Sequence, residues 1–469
     1  MPKKIKRIVF SGGGAKGVVY PGAYRAMFDA GMNSHIEEYA GSSAGSISAA
    51  LAAVGMTPQD FRHALLNTNL QKLMGKRSKK YPYSYDGEPL EAFIRSHLLT
   101  TVRDFLQKES LVHHPEIEIQ NLIRKFLFHE KPVLTFGDLK LLNQHFPNHF
   151  KKLTVPAVQF SDGKLKIFSI NTTPDVEIAK ACRASASIPI VLSPTEINGI
   201  KYIDGGFFDN LPTEYFDYDP KTGLHQANTI PEQTLVYGFG EGLLDEKNTV
   251  FQALYGAPNN KAIYKPSTLE RLQRDYLPRW LIGLCTSYKN TDQKNLGFQK
   301  LRDKYPLRTV EMRVGNLSTR SFSRAQKYAR VMDAMGYLDA MNHITNHNLH
   351  DSSVFNEQKF YAKLIKNYTI IKQALSPHQD PKPAPAYQPN RAYYYELKKI
   401  TEHHPNSSEA FALSRALELY HKDIKIEELQ QEILVKSQNR FKNAFNFFKK
   451  QKNNLPEQIQ ETLKKINLE

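Results

Sequence analysis

Residues Ile8-Val9-Phe10-Ser11-Gly12-Gly13-Gly14-Ala15-Lys16-Gly17 pass from a β-branched and aromatic run, which begins at Ile5, into a glycine-rich turn. Val19, Ala23 and Met27 then recur at the helical interval within residues 18–30. The same sequence of events follows at once. Ile36 to Ala40 reads as extended, Gly41-Ser42-Ser43-Ala44-Gly45 as a turn, and the Ala/Leu-rich stretch to Val54 as a helix. Two successive strand–turn–helix passages argue for a mainly parallel sheet covered by helices, an α/β chain.

Thr57-Pro58-Gln59-Asp60 opens another helix, with Thr as the cap, Pro in the first turn and an acid three residues after the cap. Residues 70–150 are polar, basic and aromatic and read as a mostly helical insertion. Leu153–Phe160 and Leu165–Ile170 flank Asp162-Gly163, a hairpin signal. Asn198-Gly199 marks a second tight turn, and the strand after it ends at Ile203, just before Asp204-Gly205-Gly206. Leu235–Phe239 is a further strand, and helical spacing dominates beyond about residue 320. Pro377, Pro381, Pro383, Pro385 and Pro389 make a stiff extended linker. Residues 391–469 lack glycine, hold only Pro405 and Pro456, and read as an all-helical domain. The expected organisation is a domain over 1–350, a helix and Pro-rich linker over 351–390, and the helical domain over 391–469.

Composition narrows the classes of function. A chain of 469 residues with 41% apolar side chains is neither disordered nor fibrous. A net charge of +16 favours nucleic acid or an anionic membrane as partner. Residues 261–330 hold 16 Lys/Arg against 5 Asp/Glu, and Lys72, Lys76, Arg77, Lys79 and Lys80 crowd one acid-free run. Such a run is either a solvated face or a surface that meets phosphate. With Cys182 and Cys285 alone, a disulfide framework is excluded, and no pair has metal-ligand spacing. Lys3, Lys4, Lys6 and Arg7 precede only Ile8-Val9-Phe10, too short a core for a secretory signal, and no window nears the roughly 20 apolar residues of a membrane span. The expectation is a soluble chain made in a reducing cytoplasm.

Three glycine motifs can carry chemistry. Gly12-x-Gly14-x-x-Gly17 between strand and helix suits a dinucleotide, another anion, or a turn with no ligand at all. Gly41-x-Ser43-x-Gly45 has the spacing of a nucleophilic serine on a sharp turn, whose flanking positions must be small. Its following helix, from Ala44, aims a positive end at Ser43. The backbone N–H groups of Gly12, Gly13 and Gly14 can then converge on the oxyanion of a tetrahedral intermediate. Lys16 adds positive potential and reads as a solvent-facing head at a helix start. None of the 16 histidines sits in a recognisable catalytic setting. His343, His347 and His350 are helically spaced, yet Ile344 stands where a metalloprotease helix needs an acid. Asp204 is the better base: it ends a strand, as Ser43 does, though Asp-Gly-Gly alone is often a plain turn.

Taken together, Gly12–Gly17, Gly41–Gly45 and Asp204–Gly206 resemble the patatin-like phospholipase family. Arg183-Ala184-Ser185-Ala186-Ser187-Ile188-Pro189 and Tyr202-Ile203-Asp204-Gly205-Gly206, through Asp209-Asn210-Leu211-Pro212, look like that family's approach to its aspartate. The resemblance covers about residues 5–240, with Gly336-Tyr337 as an extension. It implies a three-layer α/β/α sheet, Ser43 as nucleophile, Asp204 as base and the glycine loop as oxyanion hole. Lys16, Gly17, Gly41, Ala44, Gly45, Gly205 and Gly206 would support the motifs. It implies no cofactor and no metal. The implied reaction is hydrolysis of glycerophospholipid acyl esters through an acyl-enzyme, with an anionic phospholipid membrane as partner and no nucleic acid. Joined to an unrelated helical tail, the architecture is similar to patatin-like effectors that are translocated into host cells, bind membranes peripherally and take a host protein as activator. A non-catalytic binding module on a lipase scaffold and a dinucleotide-binding oxidoreductase stay open as alternatives. In residues 436–452, Phe441, Phe445 and Phe448 share a helical face beside Lys436, Arg440, Lys442, Lys449, Lys450 and Lys452. That face is either bundle packing or a membrane-surface helix.

Overall fold

Ile8, Val9 and Phe10 are wholly buried because their strand has partners on both edges. The computed structural model describes residues 4–239 and 298–355, apart from 82–83, 109–114, 208, 214, 217, 220–223, 226–232, 299–300, 313, 315–318 and 321, together with 363, 366, 367 and 370. The chain divides into two units, Met1–Pro381 and Lys382–Glu469. The expected domain over 391–469, the Pro-rich linker, the Phe-bearing segment 436–452 and most of the basic stretch 261–330 lie outside the described residues.

The strands are Arg7–Phe10 (β1), Glu38–Gly41 (β2), Lys152–Gln159 (β3), Leu165–Ser169 (β4), Thr195–Ile197 (β5), Ile200–Asp204 (β6), Tyr218–Asp219 (β7), Leu224–His225 (β8), Thr234–Gly238 (β9) and Thr309–Glu311 (β10). The helices are Tyr20–Asp29 (α1), Ala44–Ala53 (α2), Pro58–Leu66 (α3), Glu88–Leu106 (α4), Ile117–Ile123 (α5), Phe136–His145 (α6), Ile178–Ser185 (α7), Phe322–Lys327 (α8) and Ala329–Asn346 (α9). The main sheet runs β10-β9-β1-β2-β3-β6-β5, with β4 also on β3, and β7 pairs β8 separately. From β10 to β3 all pairings are parallel, whereas β4, β6 and β5 join antiparallel. The sheet is therefore mixed rather than mainly parallel throughout, and helices flank it.

Local chemistry accounts for most of these elements. Thr57 caps α3, its hydroxyl accepting from the Asp60 N–H at 3.2 Å, with Pro58 in the first turn. Thr135 and Asp138 form a reciprocal capping box on α6. Gly163 (φ 71°) turns the β3–β4 hairpin, and Asn198 (φ 51°) and Gly199 (φ 77°) turn β5 into β6. Against this, β10 is a short edge strand inside a basic segment with no alternation to announce it, and sequence reading missed it. The Gly336-Tyr337 stretch lies on α9, where Gly336 presses on α1's entrance: a Cβ there would stand 2.0 Å from the Val19 carbonyl oxygen. Asp333 of α9, buried, accepts from Arg25 at 3.1 Å and Arg62 at 2.8 Å, tying α9 to α1 and α3.

The registers on β3 decide where the chemistry sits. β2 occupies Lys152–Thr154 in parallel and β6 occupies Ala157–Gln159 antiparallel, while β4 covers Thr154–Val158. Each residue of a strand pairs with only one partner per edge, so β2 and β6 share one edge of β3 and run at each other end to end. Their carboxy-terminal ends, Gly41 and Asp204, face across a gap at Val155 and Pro156. The Pro156 carbonyl points into this gap, against Gly205, so the donor that proline lacks also falls where no ladder bond is needed.

Candidate active site

Ser43 follows β2 and begins α2 with φ 52° and ψ −125°, a positive φ that a side chain rarely adopts. The flanking glycines make the bend possible by close approach. A Cβ on Gly41 would lie 2.1 Å from the Gly45 carbonyl oxygen, and one on Gly45 would lie 2.1 Å from that of Phe10. The elbow is thus packed against the end of β1. The turn's own bonds run from the Gly45 N–H to the Ser42 carbonyl at 2.8 Å and from the Ser46 hydroxyl to the Ser43 carbonyl at 2.6 Å.

Across the gap, the Ser43 hydroxyl donates to Asp204 Oδ2 at 2.6 Å, and both residues are 4% exposed. Asp204 Oδ1 accepts the Gly206 N–H at 2.7 Å, and the Asp204 N–H donates to the Ser187 carbonyl at 3.1 Å. A Cβ on Gly205 would lie 2.3 Å from the Pro156 carbonyl oxygen, so only glycine lets the chain turn here against β3. Burial and two hydrogen bonds hold the carboxylate in one orientation toward the hydroxyl. That pairing can take up the serine proton as the oxygen attacks an electrophile.

The glycine loop lies beside this pair. A Cβ on Gly12 would stand 3.1 Å from Ser43 Cβ, and one on Gly17 would stand 2.9 Å from Ala44 Cβ. Its donors are not equivalent. The Gly12 N–H donates to the Asn210 carbonyl at 3.1 Å, and Asn210 Nδ2 returns a bond to the Gly12 carbonyl at 3.0 Å. Gly12 is therefore taken up in bracing the loop, a correction to its expected place among three convergent donors. The N–H groups of Gly13 and Gly14, and that of Ala44 at the start of α2, have no acceptor among the described residues. The loop continues into a 3₁₀ turn over Gly14–Val19, and α1 starts only at Tyr20. An α-helix does not begin at the glycines, as a dinucleotide fingerprint requires.

Lys16 differs from expectation. It is largely buried, its ammonium stands over the Phe239 ring at 5.5 Å from the centroid, and burial lowers its pKa. The backbone turns inward at the 3₁₀ segment, so the side chain lies against the end of β9 instead of projecting into solvent. Sequence reading also missed Ser185. Its buried hydroxyl accepts the Ser43 N–H at 3.0 Å and so holds the strained elbow from α7. The only sequence signal was its place in the Arg183–Pro189 stretch. Arg183 itself is buried and donates to the carbonyls of Asp86, Gly87 and Ser193, clamping the start of α4 to α7; burial lowers its pKa to about 10.

Ser43 opens onto an almost wholly apolar cavity that includes Leu65, Leu70, Met74, Leu90, Phe93 and Phe322. The helical candidates for a metal do not assemble one: the His343 and His347 rings pack edge to face at 4.5 Å on α9, and burial lowers the His343 pKa to about 4. No group of three or more metal-ligating side chains occurs among the described residues. Nor is any described helix long and apolar enough to cross a membrane.

A family model described as patatin-like phospholipase matches residues 8–217. The probable lipid hydrolase 463L of Invertebrate iridescent virus 6 is 30% identical over 243 residues, covering 50% of this chain and 72% of that protein. The uncharacterized protein YqhO of Bacillus subtilis is 27% identical over 238 residues, covering 48% of this chain and 71% of its own. Among solved structures, VipD from Legionella pneumophila is similar with a TM-score of 0.49 at 17% identity, over 89% of this chain and 86% of that one. A likeness at that level carries no argument about activity.

Proposed function

The chain belongs to the patatin-like phospholipase family, and we propose that its lipid-hydrolysing activity is that of a phospholipase A working through a Ser43–Asp204 dyad. The observation that carries this reading is the 2.6 Å bond from the Ser43 hydroxyl to Asp204, at the mouth of an apolar cavity. The cavity accepts a fatty-acyl chain and brings its ester carbonyl to Ser43. Asp204 takes the proton as Ser43 Oγ bonds to the carbonyl carbon. The Gly13 and Gly14 N–H groups, with the positive end of α2, stabilise the oxyanion, each good donor contributing about 3–4 kcal/mol. Collapse breaks the ester bond, and Asp204 returns the proton to the departing lysophospholipid alcohol. Water, deprotonated by Asp204, then attacks the acyl-enzyme and releases the fatty acid, and the proton returns to Ser43.

A carboxylate is a weak base for a serine hydroxyl, so the mechanism depends on transfer coupled to attack rather than on a preformed alkoxide. The dinucleotide reading finds no support, because the glycine loop is filled by close protein contacts. The test is fatty-acid release from phosphatidylcholine vesicles together with labelling by a fluorophosphonate. Ser43→Ala should abolish both, and Asp204→Asn should abolish turnover while leaving the fold intact. A folded Asp204→Asn protein with near-normal turnover would remove the dyad. A wild-type chain inert in both assays would favour the non-catalytic binding module. The effector role, with translocation, peripheral membrane binding and a host-protein activator, rests on the union of a lipase unit with a second unit and is tested by a translocation-reporter fusion.

A further inference from the structure

Asn210 reaches both sides of the dyad. Its carbonyl accepts the Gly12 N–H at 3.1 Å, and its Nδ2 donates to the Gly12 carbonyl at 3.0 Å. Because a carbonyl only accepts, the amide nitrogen must face Gly12, and this fixes where the amide oxygen points. Oδ1 lies between two glycines. A Cβ on Gly12 would stand 2.3 Å from it, and a Cβ on Gly206 would stand 2.7 Å from it. Neither glycine takes a positive φ, so backbone conformation does not call for glycine at either place. At each of them the nearest obstacle to a side chain is Asn210 Oδ1.

The two glycines belong to different halves of the site. Gly206 donates its N–H to Asp204 Oδ1 at 2.7 Å, whereas Gly12 leads into Gly13 and Gly14, whose N–H groups have no acceptor among the described residues. One side chain therefore lies against the turn that aims the base and against the loop that carries the open donors. Asn210 is itself held on both sides. The Asp209 N–H donates to the Gly205 carbonyl at 2.9 Å, and the Leu211 N–H donates to Asp209 Oδ1 at 2.9 Å. Leu211 packs on a buried cluster that includes Val9 of β1, Ala40 of β2 and Val236 of β9.

We propose that Asn210 is a positioning residue for ester hydrolysis: its amide locks the oxyanion loop to the turn that holds Asp204, and Gly12 and Gly206 lack side chains so as to admit it. The inference rests on the Ser43–Asp204 reading. During attack the oxyanion forms at the loop while the serine proton passes to Asp204, so the two sides must keep a fixed separation as charge develops. Without the amide, the Gly12 carbonyl loses its donor and the loop keeps one backbone bond to Asn210, about which it can pivot. The Gly13 and Gly14 N–H groups then leave the place where the oxyanion forms. Asn210 touches no reacting atom in this scheme and acts only through its neighbours.

The experiment uses the full chain, a soluble short-chain ester and an alkyl boronic acid, which bonds to a serine oxygen as a tetrahedral anion. Rates are referred to the serines that a fluorophosphonate labels at completion, so unfolded chains do not count. Asn210→Ala should lower kcat about 10- to 100-fold with KM unchanged, the range for a misplaced oxyanion donor. Affinity for the boronic acid should fall by the same factor, while the product fatty acid binds as before. Asn210→Asp keeps the shape but turns a carboxylate oxygen toward the Gly12 carbonyl, and it should lose at least as much; it carries the test if the alanine variant does not fold. A purely structural role would lower the melting temperature and the number of active serines, and leave their kcat and boronate affinity unchanged. That result overturns the proposal. A rise in KM alone also overturns it, by making Asn210 a substrate contact. If Ser43→Ala hydrolyses the ester at the wild-type rate, the Ser43–Asp204 reading fails and takes this inference with it. Strict dependence on Ser43, with wild-type kcat in both Asn210 variants, removes the role of Asn210 and leaves that reading standing.

Discussion

Replacing Ser185 by alanine removes the acceptor of the Ser43 N–H, 3.0 Å away, at a fully buried position. A buried N–H without a partner costs about 1–3 kcal/mol. Ser43, at φ 52°, already holds a sparsely populated conformation that costs a further 1–3 kcal/mol or so. With the Ser185 bond gone, the elbow relaxes toward negative φ, and the hydroxyl swings out of line with Asp204. If about 1–3 kcal/mol of preference passes to the relaxed form, kcat falls about 5- to 160-fold at 1.36 kcal/mol per factor of ten. The assay is hydrolysis of a soluble short-chain ester, which removes membrane binding from the measurement, alongside the rate of fluorophosphonate labelling. Both should fall together. Ser185→Cys, which keeps a weak acceptor, should be intermediate. A purely structural role would lower the melting temperature and leave kcat of the folded fraction unchanged. A Ser185→Ala protein with wild-type kcat and labelling rate would refute the positioning argument.

Gly13→Val should lower turnover sharply and also reduce thermal stability, because a Cβ there lies 2.4 Å from the Phe239 ring and its displacement shifts an open donor; unchanged turnover would count against the loop as oxyanion hole. Gly45→Ala places a methyl 2.1 Å from the Phe10 carbonyl oxygen, between two backbones that cannot give way, and should cost at least the roughly 1–3 kcal/mol of an overpacked core in denaturant unfolding. Met74→Trp should narrow the cavity and shift preference toward shorter acyl esters, about fourfold in kcat/KM for each methylene excluded, at ~0.8 kcal/mol per methylene; an unaltered chain-length profile would place the acyl chain elsewhere. Burial holds the His149 and His343 pKa values near 4, while an unfolded histidine takes up its proton near 6.5. Stability should therefore be complete above the unfolded value and decline as pH falls from 6.5 toward 4, with a shallower slope in His149→Leu; a melting temperature flat across that window would contradict the burial of these rings.

Much of the fold is legible because its signals are local. The β-branched and aromatic run from Ile5 to Phe10, the glycines after it and the helical spacing of Val19, Ala23 and Met27 all lie within one passage of chain. The Thr57 cap and the Asn198-Gly199 turn are equally local and stand where the residue chemistry puts them. The misses share a cause. β10 is stabilised by pairing with β9, so its three residues need no pattern of their own. Lys16 reads as a surface residue because a long cation normally is one; only the Phe239 ring, 223 positions later, makes a largely buried place for it. Gly12 reads as a donor equal to Gly13 and Gly14, and only Asn210, brought back from after β6, takes its N–H.

What the sequence determined alone is the α/β class, the sharp turn at Ser43 and the need for glycine around it, since these follow from torsional preference and period over a few residues. The meeting of Ser43 with Asp204, 161 positions apart, was decided by tertiary structure. It follows from β2 and β6 ending against each other on one edge of β3, a register set by the burial of whole strands. The same holds for the Ser185 bond and for the cavity assembled from segments between Gly14 and Phe322. None of these has a local signal, because each is a contact between chain segments whose spacing only the packed sheet establishes.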